Sequence, residues 1–335
     1  MFNEYSIITL FLITNFFIIL FFDKIKIFHV NIDNPDNKRK LHLSPIPLAG
    51  GTIIFLNLFL YYIIVLYNQD VLINETIFSK ESFNLFFFTS SIIFVLGFLD
   101  DRYNFPASLK FLIIAFIILI ILFLDDDLKI KTVNFSFLDK QINLSSYSII
   151  LTTFCFLVFL NAFNMFDGIN LQSSLYSTII FLSILISYYD SLMIKILLIS
   201  IFGYLYLNFK NKSFLGDSGT LLIAFIIGYI FVKLYNFDKI IFTDEVVIYM
   251  LVPGIDLIRL FFKRISLRRN PLTPDRFHIH HLLLSKYSYL KSILILVGLI
   301  ILPISMNFLG INRLFIMIFF FIIYAFLVKI ILSKN

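Results

Sequence analysis

Apolar residues along this chain come in runs of about 17 to 22, separated by short polar stretches, the length a helix needs to cross roughly 30 Å of hydrocarbon. The pattern predicts eleven transmembrane helices, near 5–22, 48–67, 83–99, 108–124, 145–162, 172–189, 191–209, 217–236, 243–262, 290–309 and 312–333. Only Asp190 parts 172–189 from 191–209, and only Asn312 and Arg313 part the last two runs, which predicts two tight hairpins. The implied fold class is an all-α integral membrane protein, a polytopic bundle forming one domain over 1–335. The first run is preceded by Glu4, with no basic flank and no small-residue cleavage site, so it reads as a retained helix rather than a cleaved signal.

Composition agrees with the pattern. The 335 residues are 60% hydrophobic, with a mean hydropathy of +0.95, more apolar surface than a water-soluble core could bury. The single Cys155 lies inside a predicted helix, where a buried apolar thiol is expected and an intrachain disulfide is ruled out.

Charge sets the expected orientation, because cytoplasmic loops retain Lys and Arg during insertion. With the N-terminus outside, 17 of the 27 Lys and Arg fall on inner segments, six on outer segments and four within helices. All five histidines then face the cytoplasm, and the Asp125, Asp126, Asp127 cluster faces out. The two longest inner segments, 23–47 and 263–289, are basic, which serves topology and attraction to anionic lipid. No nucleic-acid partner is expected. The outer segment 125–144 reads as a short structured cap.

Five polar constellations fall at the inner helix ends. In GFLDDRYNFPASLK, Asp100 and Asp101 end one helix and Lys110 opens the next. Two adjacent anions at a low-dielectric boundary need cations, a metal or a polyphosphate partner, or plain solvation. In NAFNMFDGIN, Asn161, Asn164 and Asp167 recur every three residues on one helix face, as oxygen ligands for Mg²⁺ or as interhelical hydrogen-bonding groups. FLGDSGT places Asp217 at a helix N-terminus, either capping it or holding a metal that bridges to phosphate. PDRFHIHHLL crowds Arg276, His278, His280 and His281 together; the spacing does not suit zinc, and a cationic, hydrogen-bonding clamp on a diphosphate fits better. RKLHLSPIPLAGG carries Arg39, Lys40 and His42 before Gly50 and Gly51, as a topology signal with a close helix-packing site.

In this order, together with PGIDLIRL before the histidines, these segments resemble the polyprenyl-phosphate N-acetylhexosamine-1-phosphate transferase family over about residues 33–284. The HIHH and IPLAGG forms look more like the bacterial undecaprenyl-phosphate N-acetylglucosamine-1-phosphate transferase branch than the branch that uses UDP-MurNAc-pentapeptide. The resemblance implies attack by a lipid phosphate on the β-phosphorus of a UDP-sugar at the cytoplasmic face of a bacterial inner membrane. The partners implied are undecaprenyl phosphate, a UDP-sugar and the membrane, with a homodimer as one expected assembly. The implied cofactor is Mg²⁺, with Mn²⁺ as an alternative.

Residue by residue, the resemblance implies Asn164 and Asp217 as metal ligands, and Asp100, Asp101 and Asp167 as catalytic carboxylates. Asp100 then positions the lipid phosphate or acts as a base, and Asp167 lies beside the metal or nucleotide. Lys110, Arg276, His278 and His280 contact the diphosphate, with Asn161, His281, Arg39 and His42 as further substrate-binding candidates. One departure stands out: where bacterial members read DGIDG, this chain reads DGINL, with Asn170 and Leu171 in place of an acid and a glycine. A transporter is the alternative from another class, but transporter sites lie near the bilayer midplane on broken helices, whereas these motifs sit at helix ends. The resemblance leaves the sugar open, and equally whether the glycan is the O-antigen of lipopolysaccharide, another surface glycan or a teichoic-type polymer.

Overall fold

The computed structural model describes residues 3–26, 31–35, 44–268 and 277–333. Thirteen helices account for nearly all of the regular structure. They are α1 (Glu4–Ile25), α2 (Gly50–Tyr67), α3 (Lys80–Tyr103), α4 (Ala107–Leu124), α5 (Ser148–Phe166), α6 (Gln172–Ser187), α7 (Leu192–Phe209), α8 (Gly216–Asn236), α9 (Thr243–Tyr249), α10 (Leu251–Ser266), α11 (Ile279–Lys286), α12 (Tyr289–Phe308) and α13 (Arg313–Leu332). Among the described residues there are also three short 3-10 helices (Gln69–Asn74, Asp126–Leu128 and Ser145–Tyr147) and two antiparallel pairs of two-residue strands: β1 (Ile32–Asp33) with β2 (Ile46–Pro47), and β3 (Thr132–Val133) with β4 (Ile142–Asn143).

Among the described residues, nine helices are long and apolar enough to cross a membrane, so the chain is a polytopic membrane protein. Two of the eleven expected spans differ. The 172–189 run forms a 16-residue helix, α6, which falls short of the usual spanning length. The single helix expected over 243–262 does not form: it breaks at Met250 into α9 and α10. Pro253, near the start of α10, has no amide hydrogen for the Tyr249 carbonyl four residues back and its ring crowds that carbonyl, which explains a break between Tyr249 and Leu251. Its charges, Asp256, Arg259, Lys263 and Arg264, make α10 two-faced rather than uniformly apolar. Cys155 also departs from expectation: it is exposed, and a thiol suits hydrocarbon as well as a protein core.

The chain forms two compact units, one of Met1–Phe105 with Ile180–Tyr229, the other of Pro106–Ile179 with Ile230–Asn335. In the first unit α1 and α2 pack on α7, and α2 packs on α3 through stacked rings, Phe55 on Phe94 at 4.2 Å and Tyr62 on Phe87 at 3.9 Å. Lipid tails are as apolar as these side chains, so close fit rather than escape from water selects the partners. The IPLAGG glycines serve such a fit, since a Cβ on Gly51 would lie 2.4 Å from the Gly219 amide nitrogen. Between α2 and α3 the buried Glu75 carboxylate accepts hydrogen bonds from Tyr189 Oη (2.6 Å), Ser191 Oγ (2.8 Å) and the Met193 amide (2.9 Å), tying the start of α7 to that connection.

In the second unit α5 packs on α4 and α10, and a core of Ile279, Leu282, Leu283, Leu296, Tyr324 and Val328 joins α11, α12 and α13. The expected cap over 125–144 is ordered. Thr243 donates its amide to Asn134 O (2.7 Å), Asn236 Nδ2 donates to Lys129 O (2.9 Å), and Ser136 bonds Asp244. Beneath it Lys233 Nζ pairs with Asp125 Oδ1 at 2.9 Å, with both side chains buried. Removing one partner strands the other charge, so Lys233→Met is expected to destabilise the protein by about 3–5 kcal/mol. Thermal unfolding in detergent checks this, and adding Asp125→Asn should recover part of the loss.

Candidate active site

In the first unit α3 ends where α8 begins. Asp101 reaches across to accept the Asp217 amide on Oδ1 (2.7 Å) and the Ser218 amide on Oδ2 (3.1 Å), satisfying two of the orphan donors at the start of α8. The cap on this helix therefore comes from another helix. Gly216 makes the approach feasible: its φ is +73°, and a Cβ there would lie 2.7 Å from Asp101 Oδ2. The Asp101 and Asp217 carboxylates are near enough for their charges to oppose one another. Asp100 is buried, and its Oδ1 accepts the Phe105 amide (2.7 Å), closing the left-handed turn at Asn104 that ends α3.

In the second unit α5 ends on Asp167, and the next residue meets the histidines. A Cβ on Gly168 would lie 1.9 Å from His280 Nε2, so the imidazole rests directly on this turn. His280 is 1% exposed, with its ring stacked on His278 (centroids 5.5 Å apart, planes 2° apart) and edge-on to His281 (4.3 Å). Thus NAFNMFDGIN and HIHH, far apart in sequence, meet in space. Asn164 and Asp167 are half-buried at the end of α5, whereas Asn161 Nδ2 is spent on the Leu157 carbonyl of its own helix (2.7 Å). Lys110 is half-buried in the first turn of α4. Leu171, where the resemblance leads one to expect glycine, has φ +69°, the left-handed conformation that glycine adopts without strain. Arg39, His42 and Arg276 lie outside the described residues.

Residues 83–235, which carry the Asp100, Asp101, Asn164, Asp167 and Asp217 motifs, match the model of glycosyl transferase family 4. Proteins described as undecaprenyl-phosphate alpha-N-acetylglucosaminyl 1-phosphate transferase align over most of the chain. The one from Thermotoga maritima is 28% identical over 87% of this chain and 85% of its own. Those from Escherichia coli K12 and Salmonella typhi are 26% and 25% identical, each over 83% of this chain and 76% of its own. Over the central segment 83–235 the chain is similar to glycosyl transferase family 4.

Each unit carries oxygen groups of the kind that suit a hard divalent cation. In the first unit the opposed Asp101 and Asp217 carboxylates attract a positive charge, and in the second Asn164 offers an amide oxygen at the end of α5. Among the described residues no three His, Cys, Asp or Glu side chains cluster as a protein-only cage. Mg²⁺ needs none, since it keeps waters and substrate phosphates and takes only one or two carboxylates.

Sequence reasoning missed two groups beside the histidines, Asp256 and Arg259 of PGIDLIRL. Their signal was available: a carboxylate and a guanidinium one helical turn apart in an otherwise apolar run. His280 carries its own consequence for pH. Burial, reinforced by the neighbouring His281 and His278, holds its pKa well below the ordinary 6.5. The unfolded chain takes up a proton near pH 6.5 while the folded protein does not. Stability is therefore unaffected by this group above that pH and falls below it, by about 1 kcal/mol at pH 5.5. Unfolding temperatures at pH 7.5 and 5.5 check this, with His280→Phe expected to narrow the difference.

Proposed function

We propose that this chain transfers N-acetylhexosamine-1-phosphate from a UDP-sugar to undecaprenyl phosphate, releasing UMP and leaving a lipid-diphosphate-sugar for cell-envelope glycan assembly. The observation that carries the reading is the meeting of the Asp167–Gly168 turn with His280, which brings together in one unit two motifs that the resemblance assigns to phosphate handling. The activity for which the aligned relatives are named supports the same reaction.

In this reaction an oxygen of the carrier phosphate attacks the β-phosphorus. The bond from that phosphorus to the bridging oxygen breaks, and UMP leaves with the electron pair. A phosphate monoester has a second pKa near 6 and is largely dianionic at neutral pH, so positioning and charge compensation carry the catalysis. Asp217 and Asn164 are the residues that would each offer Mg²⁺ an oxygen, and the ion would offset charge on the diphosphate. Lys110, Arg276, His278 and His280 contact the diphosphate, Asp100 positions the carrier phosphate, and Asp167 lies beside the nucleotide. The excess of Lys and Arg on one set of segments supports an outside N-terminus and cytoplasmic chemistry in a bacterial inner membrane.

The test is a donor panel with purified protein, undecaprenyl phosphate and Mg²⁺. UDP-GlcNAc or an epimer is expected to be used, with turnover abolished by chelation and restored by added Mg²⁺. Preference for UDP-MurNAc-pentapeptide would move the protein to the other branch, and turnover that survives chelation would remove the metal from the account.

A further inference from the structure

His278 precedes α11, and its ring is held from behind by a carboxylate on another helix. Asp256, buried in α10, places Oδ2 at 2.8 Å from His278 Nδ1. Its Oδ1 collects the Ile279 amide (3.2 Å), Arg259 Nη2 (2.7 Å) and Tyr324 Oη (2.5 Å). Arg259 Nη2 also donates to the Phe277 carbonyl (2.5 Å), and the Lys263 ammonium sits 3.4 Å from the centre of the Phe277 ring. The residues on both sides of His278 are thus pinned by the same carboxylate–guanidinium pair, while the other carboxylate oxygen faces the imidazole.

A helix cap alone explains only part of this. Capping α11 requires an acceptor for the Ile279 amide, which Oδ1 provides; it does not require a second oxygen on Nδ1. A carboxylate on one nitrogen of an imidazole fixes which nitrogen carries the proton and how the ring is turned.

We propose that Asp256 is a positioning residue that acts through His278. It holds the Nδ1 proton on its own side and presents the Nε2 edge to the diphosphate of the donor, with Tyr324 and Arg259 fixing the carboxylate. This rests on the transfer reaction proposed above. No atom of Asp256 need touch substrate.

The test pairs kinetics with a signal that does not depend on turnover. Asp256→Asn keeps the shape but weakens the hold on the Nδ1 proton. It is expected to lower kcat by about 10²-fold while KM for the UDP-sugar stays within about threefold. In a His278→Gln background the same change should cost less than about twofold, because two residues acting as one unit are not additive. In protein labelled with [¹⁵N]histidine, the His278 imidazole, assigned by its loss in His278→Gln, should show a protonated Nδ1 that Asp256→Asn shifts.

An equal cost of Asp256→Asn in both backgrounds, or an unmoved His278 resonance, overturns the proposal. If the wild-type protein uses no UDP-sugar, the reaction reading fails and the ¹⁵N signal still decides the Asp256–His278 link. Should Asp256→Asn not fold, Tyr324→Phe removes one bond to the same carboxylate. It is then expected to shift the His278 signal and lower kcat about threefold, and no shift overturns the proposal.

Discussion

Gly168→Ala is expected to lower transfer at least about 100-fold while leaving a folded protein. The added Cβ would lie 1.9 Å from His280 Nε2, 2.2 Å from Cε1 and 2.5 Å from Cδ2, well inside contact distance with the body of a ring. His280 has no room to retreat, being buried between His278 and His281. Either the Asp167 turn or the start of α11 must move by about an ångström. Overpacking of this kind costs about 1–3 kcal/mol, which the fold can bear, but misplacing reacting groups by about 1 Å costs on the order of 10²-fold in rate. Thermal unfolding separates the two effects. Adding His280→Ala should restore the unfolding temperature of Gly168→Ala without restoring transfer, since the space returns and the imidazole does not. Near-normal transfer by Gly168→Ala would mean that the contact between the two motifs has no part in the chemistry.

Asp217→Asn is expected to lower transfer about 10³-fold and to leave the unfolding temperature unchanged or raised. The Asp217 backbone amide, not its side chain, serves the helix cap, so the substitution spares the bond to Asp101 Oδ1. It also removes one of two opposed negative charges. Strain or repulsion held at a site usually relaxes when the functional group is removed, whereas losing a preorganised electrostatic group costs about 10²–10³ in rate. Asp101→Asn should behave differently. An amide side chain has one oxygen acceptor where the carboxylate has two, so the Asp217 and Ser218 amides cannot both be served, and stability should fall together with transfer. Equal loss of stability in the two variants would contradict the division of labour between them.

Much of this was legible before any coordinates. Runs of 17 or more apolar residues have few ways to fold in a membrane, so among the described residues nine of the eleven expected spans form as long helices near their expected positions. The two that differ, α6 and the α9–α10 pair, are those where length or charge weakened the pattern. The polar motifs were legible as chemistry because buried carboxylates and amides at helix ends are costly without a purpose. Their local duties were not. That Asp101 caps α8, that Asn161 bonds its own helix and that Gly168 seats His280 depend on which helix lies against which, and the period of an apolar helix carries little of that. Asp256 stands within PGIDLIRL, but its role is not legible there because its partners, His278 ahead of α11 and Tyr324 on α13, are distant in sequence. Leu171 marks the opposite case: its replacement of glycine was visible in sequence, and the left-handed φ it must adopt was not.

The most direct test follows the phosphorus. Purified protein is given UDP-N-acetylglucosamine labelled with ³²P at the β-position, with undecaprenyl phosphate and Mg²⁺, and lipid and aqueous products are separated. The account predicts ³²P in the lipid fraction, as a lipid-diphosphate-sugar, and unlabelled UMP in water in equal amount. Label left in aqueous UDP, with unlabelled sugar on the lipid, would show transfer of the sugar alone and contradict it.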